Sequence, residues 1–260
     1  MKHIYAIVFF MSLFFQAEKY YVTFVKGKPF SKRTGTLLKV GEAVLPSDNI
    51  RYGSTDTRVM CISPGRGRFE LRAKKTASGE LWALIKTNIV PILNNYHFST
   101  RGLGFAGYDP ATYFQSAETG DRILIVSNQS LPIAANYKRD AYNFFFLQYT
   151  VNGKRVTQKI EQNDAGILFN LQTFSATTAN ELPGKVLLCY QSADSGTAKS
   201  TAITEFVPVL LTKEELRQQL QVIKTYAGIT DQKKLRAEVA AHLYDNYGKI
   251  GDTEFITLLQ

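Results

Sequence analysis

The sequence predicts a mainly β protein that ends in helices, and three observations carry this expectation. Short apolar runs, broken by Gly, Pro or Asp every eight to twelve residues, fill residues 18–76 and again 121–211. This spacing is typical of small barrels and sandwiches. From residue 212 the apolar positions recur every three or four residues, which indicates helices. With 260 residues and a 45% hydrophobic content, the chain is long enough for one large domain or for two to three small ones.

Residues 1–17 predict a secretory signal peptide. Lys2 supplies a basic start, an apolar run extends from Ile4 to Phe15, and the small Ala17 precedes a charged residue. The run is too short to cross a bilayer, which needs about 20 apolar residues, and no later segment is longer. We therefore expect an exported chain that is cleaved after Ala17, with an uncleaved membrane anchor as the alternative.

The formal net charge of +9 is spread along the chain as single basic residues and pairs, with no run of five or more. A scattered excess of this kind indicates a solvated basic surface. An anionic membrane or glycan surface is compatible with it. Nucleic acid is not an expected partner, because an exported chain seldom meets it.

Residues 18–76 predict a small β barrel or sandwich. Five apolar runs fit strands, and polar turns such as SKRTG and SPGRG separate them. The alternation in the fourth run places either Val59 and Cys61 or Met60 and Ile62 against the core, and the sequence leaves both open. The runs are YYVTFVKGK, GTLLKVG, DNIRYG, TRVMCIS and RFELRA.

Residues 77–120 predict a connecting helix followed by a loop. The apolar segment ELWALIKTNIVPIL predicts a helix that Pro91 ends or kinks. The next segment, NNYHFSTRGLGFAGYDP, is rich in turn residues, and a loop of this length is typical of a linker or a binding element. Its GLGFAG, residues 102–107, has the spacing of a dinucleotide-binding loop but lacks the strand before it and the helix after it. We therefore expect a flexible loop and no cofactor.

Residues 121–211 predict an immunoglobulin-like antiparallel β-sandwich. Asn152 and Gly153 separate two β-rich arms in NFFFLQYTVNGKRVTQKI, which is the pattern of a type I′ hairpin. Five or six strands within about 90 residues fit this architecture by size and pattern. The other strand candidates are DRILIVSNQSLPI, AGILFNLQ, KVLLCYQ and AITEFVPVLL.

Residues 212–260 predict C-terminal helices. Thr212 and Glu215 have the T-x-x-E spacing of a capping box, ahead of apolar residues at spacings of four and three. Thr230 or Asp231 caps a second helix, and a glycine follows each of these two helices. The segment DTEFITLL predicts a third, short helix.

No catalytic or metal-binding pattern stands out. Cys61 and Cys189 lie in apolar, strand-like runs, so two separately buried thiols are expected, with a disulfide as the alternative in an oxidising compartment. His97 and His242 lack the spacing of metal ligands, and Glu238, four residues before His242, predicts an ion pair on a helix surface. A carboxylate pair of the glycosidase kind would meet only in the fold.

Residues 65–75, GRGRFELRAKK, concentrate basic side chains and form the main candidate binding segment. If positions 68, 70 and 72 share one strand face, that face is exposed and mostly basic. Such a face suits lipopolysaccharide, peptidoglycan or an acidic partner, although charges on an exposed strand also protect a sheet edge. The loop STRGLGF supplies two further contacts. The candidate partner-binding residues are Arg66, Arg68, Arg72, Lys74, Lys75, Arg101 and Phe105.

The order of motifs in residues 25–72 resembles the FecR-like β domain of envelope proteins. That order is G-x-[VP], L-K-x-G-[DE], [IL]-x-x-G and a strand that ends at a Pro-Gly turn. The resemblance implies a structural or signalling module and not a catalyst. FecR sensors carry a cytoplasmic part and a membrane span before this domain, so their signalling role is not transferred. The matching residues are Gly27, Leu38, Lys39, Gly41, Glu42, Ile50, Gly53, Val59, Pro64 and Gly65.

The whole chain also resembles a family of exported Bacteroidota proteins, through STRG at 99–102 and YGK at 247–249. That resemblance brings no activity. We therefore expect a non-enzymatic binding or scaffold protein in the periplasm or at the outer-membrane periphery of a Gram-negative cell. It would hold an envelope protein or an anionic glycan. The alternatives are a secreted hydrolase with carboxylates on the sandwich loops, and an accessory subunit of a secretion or contractile machine.

Overall fold

The structure is a computed structural model that describes residues 18–92, 108–114, 122–128, 130–174, 182–194, 197–251 and 255. The predicted signal peptide, the GLGFAG loop and nearly all of the predicted third helix lie outside these residues. The chain forms two units. The first comprises Met1–Leu93 with Gln218–Leu235, and the second comprises Asn94–Arg217 with Arg236–Gln260.

The first unit is built from two five-stranded antiparallel sheets, with strand orders β10-β7-β6-β1-β4 and β3-β2-β5-β9-β8. The prediction of a small β module is confirmed, as two sheets and not as a closed barrel. The strands are β1 (Tyr20–Lys26), β2 (Phe30–Ser31), β3 (Thr36–Leu37), β4 (Ala43–Val44), β5 (Asn49–Tyr52), β6 (Arg58–Ser63), β7 (Gly67–Leu71), β8 (Lys74–Lys75), β9 (Leu81–Leu84) and β10 (Ile89–Pro91).

Strand β6 is buried on both of its faces. Val59 and Cys61 join the hydrophobic core between the two sheets, which decides the alternation that the sequence left open. Met60 and Ile62 point the other way and are also fully buried. Residues 218–235 pack on that second face, where Tyr226 stacks on Tyr21 with ring centroids 3.4 Å apart.

The helix predicted around residues 80–93 is wrong, because this segment forms β9 and β10. Strand β9 lies between β5 and β8 and completes the second sheet. Pairing with strands on both sides outweighs the helical preference of the isolated apolar run. Pro91 is at the end of β10, an edge strand, where a missing N–H group is tolerated. Strands β9 and β10 therefore belong to the sheets of the first unit, beyond residue 76.

The second unit contains a five-stranded sheet with the order β11-β18-β17-β13-β14 and a three-stranded sheet with the order β12-β16-β15. A short helix, α1 (Pro110–Phe114), precedes the first strand, and a 3₁₀ helix spans Leu171–Phe174. The strands are β11 (Arg122–Val126), β12 (Ser130–Leu131), β13 (Phe144–Val151), β14 (Lys154–Lys159), β15 (Glu161–Asn163), β16 (Gly166–Leu168), β17 (Val186–Asp194) and β18 (Thr197–Leu211).

These two sheets form the predicted sandwich. The core between them is rich in phenylalanine, including Phe145, Phe169 and Phe206. The third, fourth, seventh and eighth strands share one sheet and the second, fifth and sixth share the other, which is the strand distribution of an immunoglobulin-like domain. One pair departs from the antiparallel prediction: the edge strand β11 runs parallel to the last five residues of β18.

The hairpin predicted at residues 152–153 is confirmed. Asn152 and Gly153 have φ values of 50° and 74°, and they join β13 to β14. Two consecutive positive φ values define the type I′ turn, whose twist matches that of the flanking strands. The local sequence was sufficient here because the turn chemistry alone fixes the register.

Two C-terminal helices are present as predicted, α2 (Lys213–Tyr226) and α3 (Gln232–Tyr247). The capping box is formed: the Glu215 backbone N–H donates to Thr212 Oγ1 (3.2 Å), and the Thr212 N–H donates to Glu215 Oε2 (2.8 Å). Asp231 caps α3, because its Oδ1 accepts bonds from the backbone N–H groups of Lys233 and Lys234. No helix among the described residues is long and apolar enough to cross a membrane.

Replacing Thr212 with alanine is expected to lower the free energy of unfolding by about 1 kcal/mol, because the first turn of α2 loses its cap. Chemical denaturation followed by far-UV circular dichroism measures this loss. The matched control is Arg217→Ala, an exposed residue of the same helix that should change stability by less than about 0.5 kcal/mol. Equal stability of the two variants would show that the cap contributes nothing.

Candidate binding surfaces

Much of the predicted basic segment is engaged within the first unit. The Arg66 guanidinium donates to both carboxylate oxygens of Glu18, at 2.8 and 3.2 Å, and lies over the Tyr20 ring. The hydrogen bond from Arg66 lowers the pKa of Glu18. Arg72 Nε lies 3.5 Å from Glu70 Oε2. These cations therefore already have acidic partners inside the chain.

The burial of Arg68 contradicts the predicted exposed, mostly basic strand face. Its side chain is only 3% exposed. Pairing places it in one row with Ile62 and Tyr21 across β7, β6 and β1, and Tyr226 stacks on the end of that row. Because residues 218–235 cover this face, Arg68 is not available as a surface contact.

Lys74 and Lys75 are exposed on the edge strand β8. Lysines at a sheet edge discourage pairing with other chains, as the sequence already suggested. They also remain available to a partner. The other two predicted contacts, Arg101 and Phe105, lie outside the described residues.

The structure assembles a surface that the sequence did not indicate, on the second sheet of the first unit. Leu37 pairs with Phe30, Phe30 with Arg51, Arg51 with Trp82, and Trp82 with Lys74. The five side chains therefore form one row across the whole sheet, here called the Trp82 ridge. Neighbouring residues on β5 and β9, namely Ile50, Tyr52 and Ala83, belong to the core, so the ridge occupies the opposite, outward face.

The Trp82 ridge combines apolar area with free cationic groups. Leu37 is 47% exposed, and the guanidinium of Arg51 lies 5.4 Å from the centroid of the Phe30 ring. Trp82 donates its indole N–H to Glu80 at 3.2 Å, which fixes the ring orientation. Neither Arg51 nor Lys74 forms an ion pair within the described part of the chain. The row therefore presents an aromatic and aliphatic centre flanked by positive charge.

The sequence does not predict this surface, because the apolar segment that contains Trp82 predicts a helix. A row across a sheet depends on the register of five strands, which no local pattern encodes. The only hint in the sequence is that Trp82 is the single tryptophan of the chain. The next residue on β9, Ala83, is small and buried, so Trp82 points to the opposite face.

His97 lies outside the described residues, whereas the side chains of Cys61, Cys189 and His242 are buried. Cys61 and Cys189 are free thiols, as expected, and burial raises the pKa of each. A protonated thiol is a poor nucleophile. The prediction that Glu238 and His242 lie on a helix surface is wrong, because both side chains are buried, at 6% and 0% exposure. No metal-binding cluster of His, Cys, Asp or Glu occurs among the residues that the structure describes.

The fold and the surfaces define a two-unit β protein whose second unit is an immunoglobulin-like sandwich. Comparison with family models, with curated proteins and with solved structures finds no match to this chain. The resemblance to FecR-like domains therefore stays a prediction.

Proposed function

We propose that this protein is an exported, non-enzymatic scaffold of the bacterial cell envelope and that it holds a protein partner on the Trp82 ridge. The ridge is the observation that carries the proposal. Export follows from the predicted signal peptide, and a structural role agrees with the predicted FecR-like resemblance of the first module.

The composition of the Trp82 ridge supports a protein partner. Tryptophan and arginine are the residue types most enriched among energetically dominant interface contacts, which sit at the centre of an apolar patch. Here Phe30, Arg51 and Trp82 are contiguous, and the exposed Leu37 extends the apolar area. Arg51 and Lys74 favour a partner with an apolar pocket and an acidic rim.

The test is affinity isolation of the tagged full-length protein from crosslinked envelope fractions, followed by mass spectrometry. We expect reproducible recovery of one or a few envelope proteins. Trp82→Ala and Arg51→Glu should each lower that recovery at least about tenfold, equivalent to about 1.4 kcal/mol of binding free energy. Lys39→Glu, an exposed charge reversal outside the ridge, should leave recovery unchanged.

Two outcomes would oppose the proposal in different ways. Recovery of the same partners by both ridge variants would show that the partner binds elsewhere. Failure to recover any protein with the wild-type chain would reject the scaffold itself. Since Arg51 is exposed, its substitution is not expected to unfold the unit, and circular dichroism of each variant checks this.

A further inference from the structure

A second surface lies in the immunoglobulin-like unit, at the turn that leads into β13. Tyr142 is 71% exposed, more than any other large hydrophobic side chain among the described residues. Leaving an aromatic ring in water forgoes the burial that normally stabilises it. A ring held in this way is therefore a candidate for recognition.

The turn that carries Tyr142 is held in place by hydrogen bonds. Asp140 Oδ1 accepts bonds from the backbone N–H groups of Tyr142 and Asn143, both at 2.8 Å. Gln162 donates to the carbonyls of Asp140 and Asn143. Asn143 in turn accepts the Ala193 N–H at 3.0 Å. The ring thus stands on a fixed backbone, which reduces the entropy lost on binding.

Polar and cationic groups extend from this position along the outward face of the large sheet. Gln191, the cross-strand partner of Phe144, donates its side-chain amide to the Tyr142 carbonyl. The Lys159 ammonium lies 4.1 Å from the centroid of the Phe144 ring and covers it. Further along β14, Arg155 donates to Gln148. Amides and cations therefore follow the exposed ring along the sheet, with Lys159 opposite Phe146 and Arg155 opposite Thr150.

The charge on this face is positive. Neither Arg155 nor Lys159 has an acidic partner among the described residues. Two acids bear on the site: Glu205 is paired with Lys185 at 2.7 Å, and the Asp140 carboxylate is held by the N–H groups of Tyr142 and Asn143. Arg155 and Lys159 lie four residues apart on one strand face, a separation of about 13 Å at about 3.3 Å per residue. A ligand that reaches both must be extended and carry repeated negative charge.

We infer that Tyr142, Lys159 and Arg155 form a binding site for an acidic polysaccharide. The C–H face of one sugar packs on the exposed tyrosine ring, the amides of Gln191 and Gln148 bond hydroxyls further along the polymer, and the two cations bind carboxylates that lie about 13 Å apart on it. An acidic polypeptide fits less well, because a protein partner needs contiguous apolar area around its anchoring ring. The site belongs to the second unit and does not depend on the Trp82 ridge.

The experiment measures binding of the purified full-length protein to alginate, a polyuronate, by isothermal titration calorimetry at low and physiological salt. Neutral dextran and polyglutamate are the comparison polymers. We expect binding of alginate, none of dextran and weaker binding of polyglutamate. Tyr142→Ala should weaken alginate binding at least about tenfold, whereas Tyr142→Phe keeps the ring and the affinity.

Charge variants complete the design. Lys159→Gln should weaken alginate binding several-fold, while Lys154→Gln should leave it unchanged because that exposed lysine lies on the opposite face of β14. Alginate binding that survives Tyr142→Ala, or no alginate binding by the wild-type protein, would overturn the inference. Equal binding of polyglutamate with the same Tyr142 dependence would overturn it in favour of an acidic polypeptide.

Discussion

Replacing Gly248 with alanine is expected to lower the free energy of unfolding of the second unit by at least about 3 kcal/mol. Gly248 follows α3 with φ at +99°, a conformation that side chains rarely adopt. A Cβ atom there would also lie 2.7 Å from Arg122 Cβ and 2.8 Å from the Arg122 carbonyl carbon. The strain of the positive φ and the steric overlap with Arg122 act together, because relieving the overlap requires the backbone to move.

The backbone around Gly248 cannot move freely. The next residue, Lys249, pairs with β11: its N–H donates to the Arg122 carbonyl at 3.0 Å, and its carbonyl accepts the Leu124 N–H at 2.7 Å. This pairing attaches the end of α3 to the edge of the large sheet. A shift that accommodates alanine would break it and weaken the edge strand.

The control for this prediction is Gly153→Ala in the same unit. Gly153 also has a positive φ, +74°, but a Cβ there meets nothing within 4 Å. Gly153→Ala should therefore lower the free energy of unfolding only by the cost of placing alanine at a positive φ, about 1 kcal/mol. Limited proteolysis in a urea series, with fragments assigned by mass, measures the stability of the second unit. Equal losses for the two variants would show that the approach to Arg122 does not matter.

The features that could be predicted from the sequence are those that neighbouring residues determine. The Asn152-Gly153 hairpin and the Thr212 capping box depend on turn and cap chemistry within four residues, and both are present. The sandwich and the helical segment followed from periodicity over longer windows. In each case the local preference and the final fold agree.

The features that could not be predicted depend on residues far apart in the chain. β9 is a strand because β5 and β8 pair with it on both sides. Arg68 is buried because residues 218–235 return to cover its sheet. The Trp82 ridge requires the register of five strands. Tyr142 could have been noticed as an aromatic residue in a turn, but its exposure is a property of the fold.

Replacing Asp48 with alanine is the second change with a large expected effect, a loss of about 2–4 kcal/mol in the first unit. The Asp48 side chain is 2% exposed, and Arg33 Nε donates to both of its oxygens at 2.8 Å. Oδ2 also accepts the Leu45 backbone N–H at 2.9 Å. Alanine would leave that donor without a partner and remove the carboxylate that joins two turns.

The loss should come mainly from the Leu45 bond and from packing, since Arg33 is 43% exposed and its attraction to Asp48 is screened by water. Asp48→Asn, whose amide oxygen can still accept the Leu45 N–H, should therefore lose less than Asp48→Ala. Asp56→Ala, at an exposed acid of the same unit, should change stability by less than about 0.5 kcal/mol.

Trp82 provides the measurement, because the only tryptophan of the chain lies in the first unit. Its fluorescence in a urea titration reports the unfolding of that unit alone. If Asp48→Ala were as stable as Asp56→Ala, a structural role for this buried carboxylate would be wrong. A large loss of stability would show that the hydrogen bonds of Asp48 hold the turns beside the sheet that carries the Trp82 ridge.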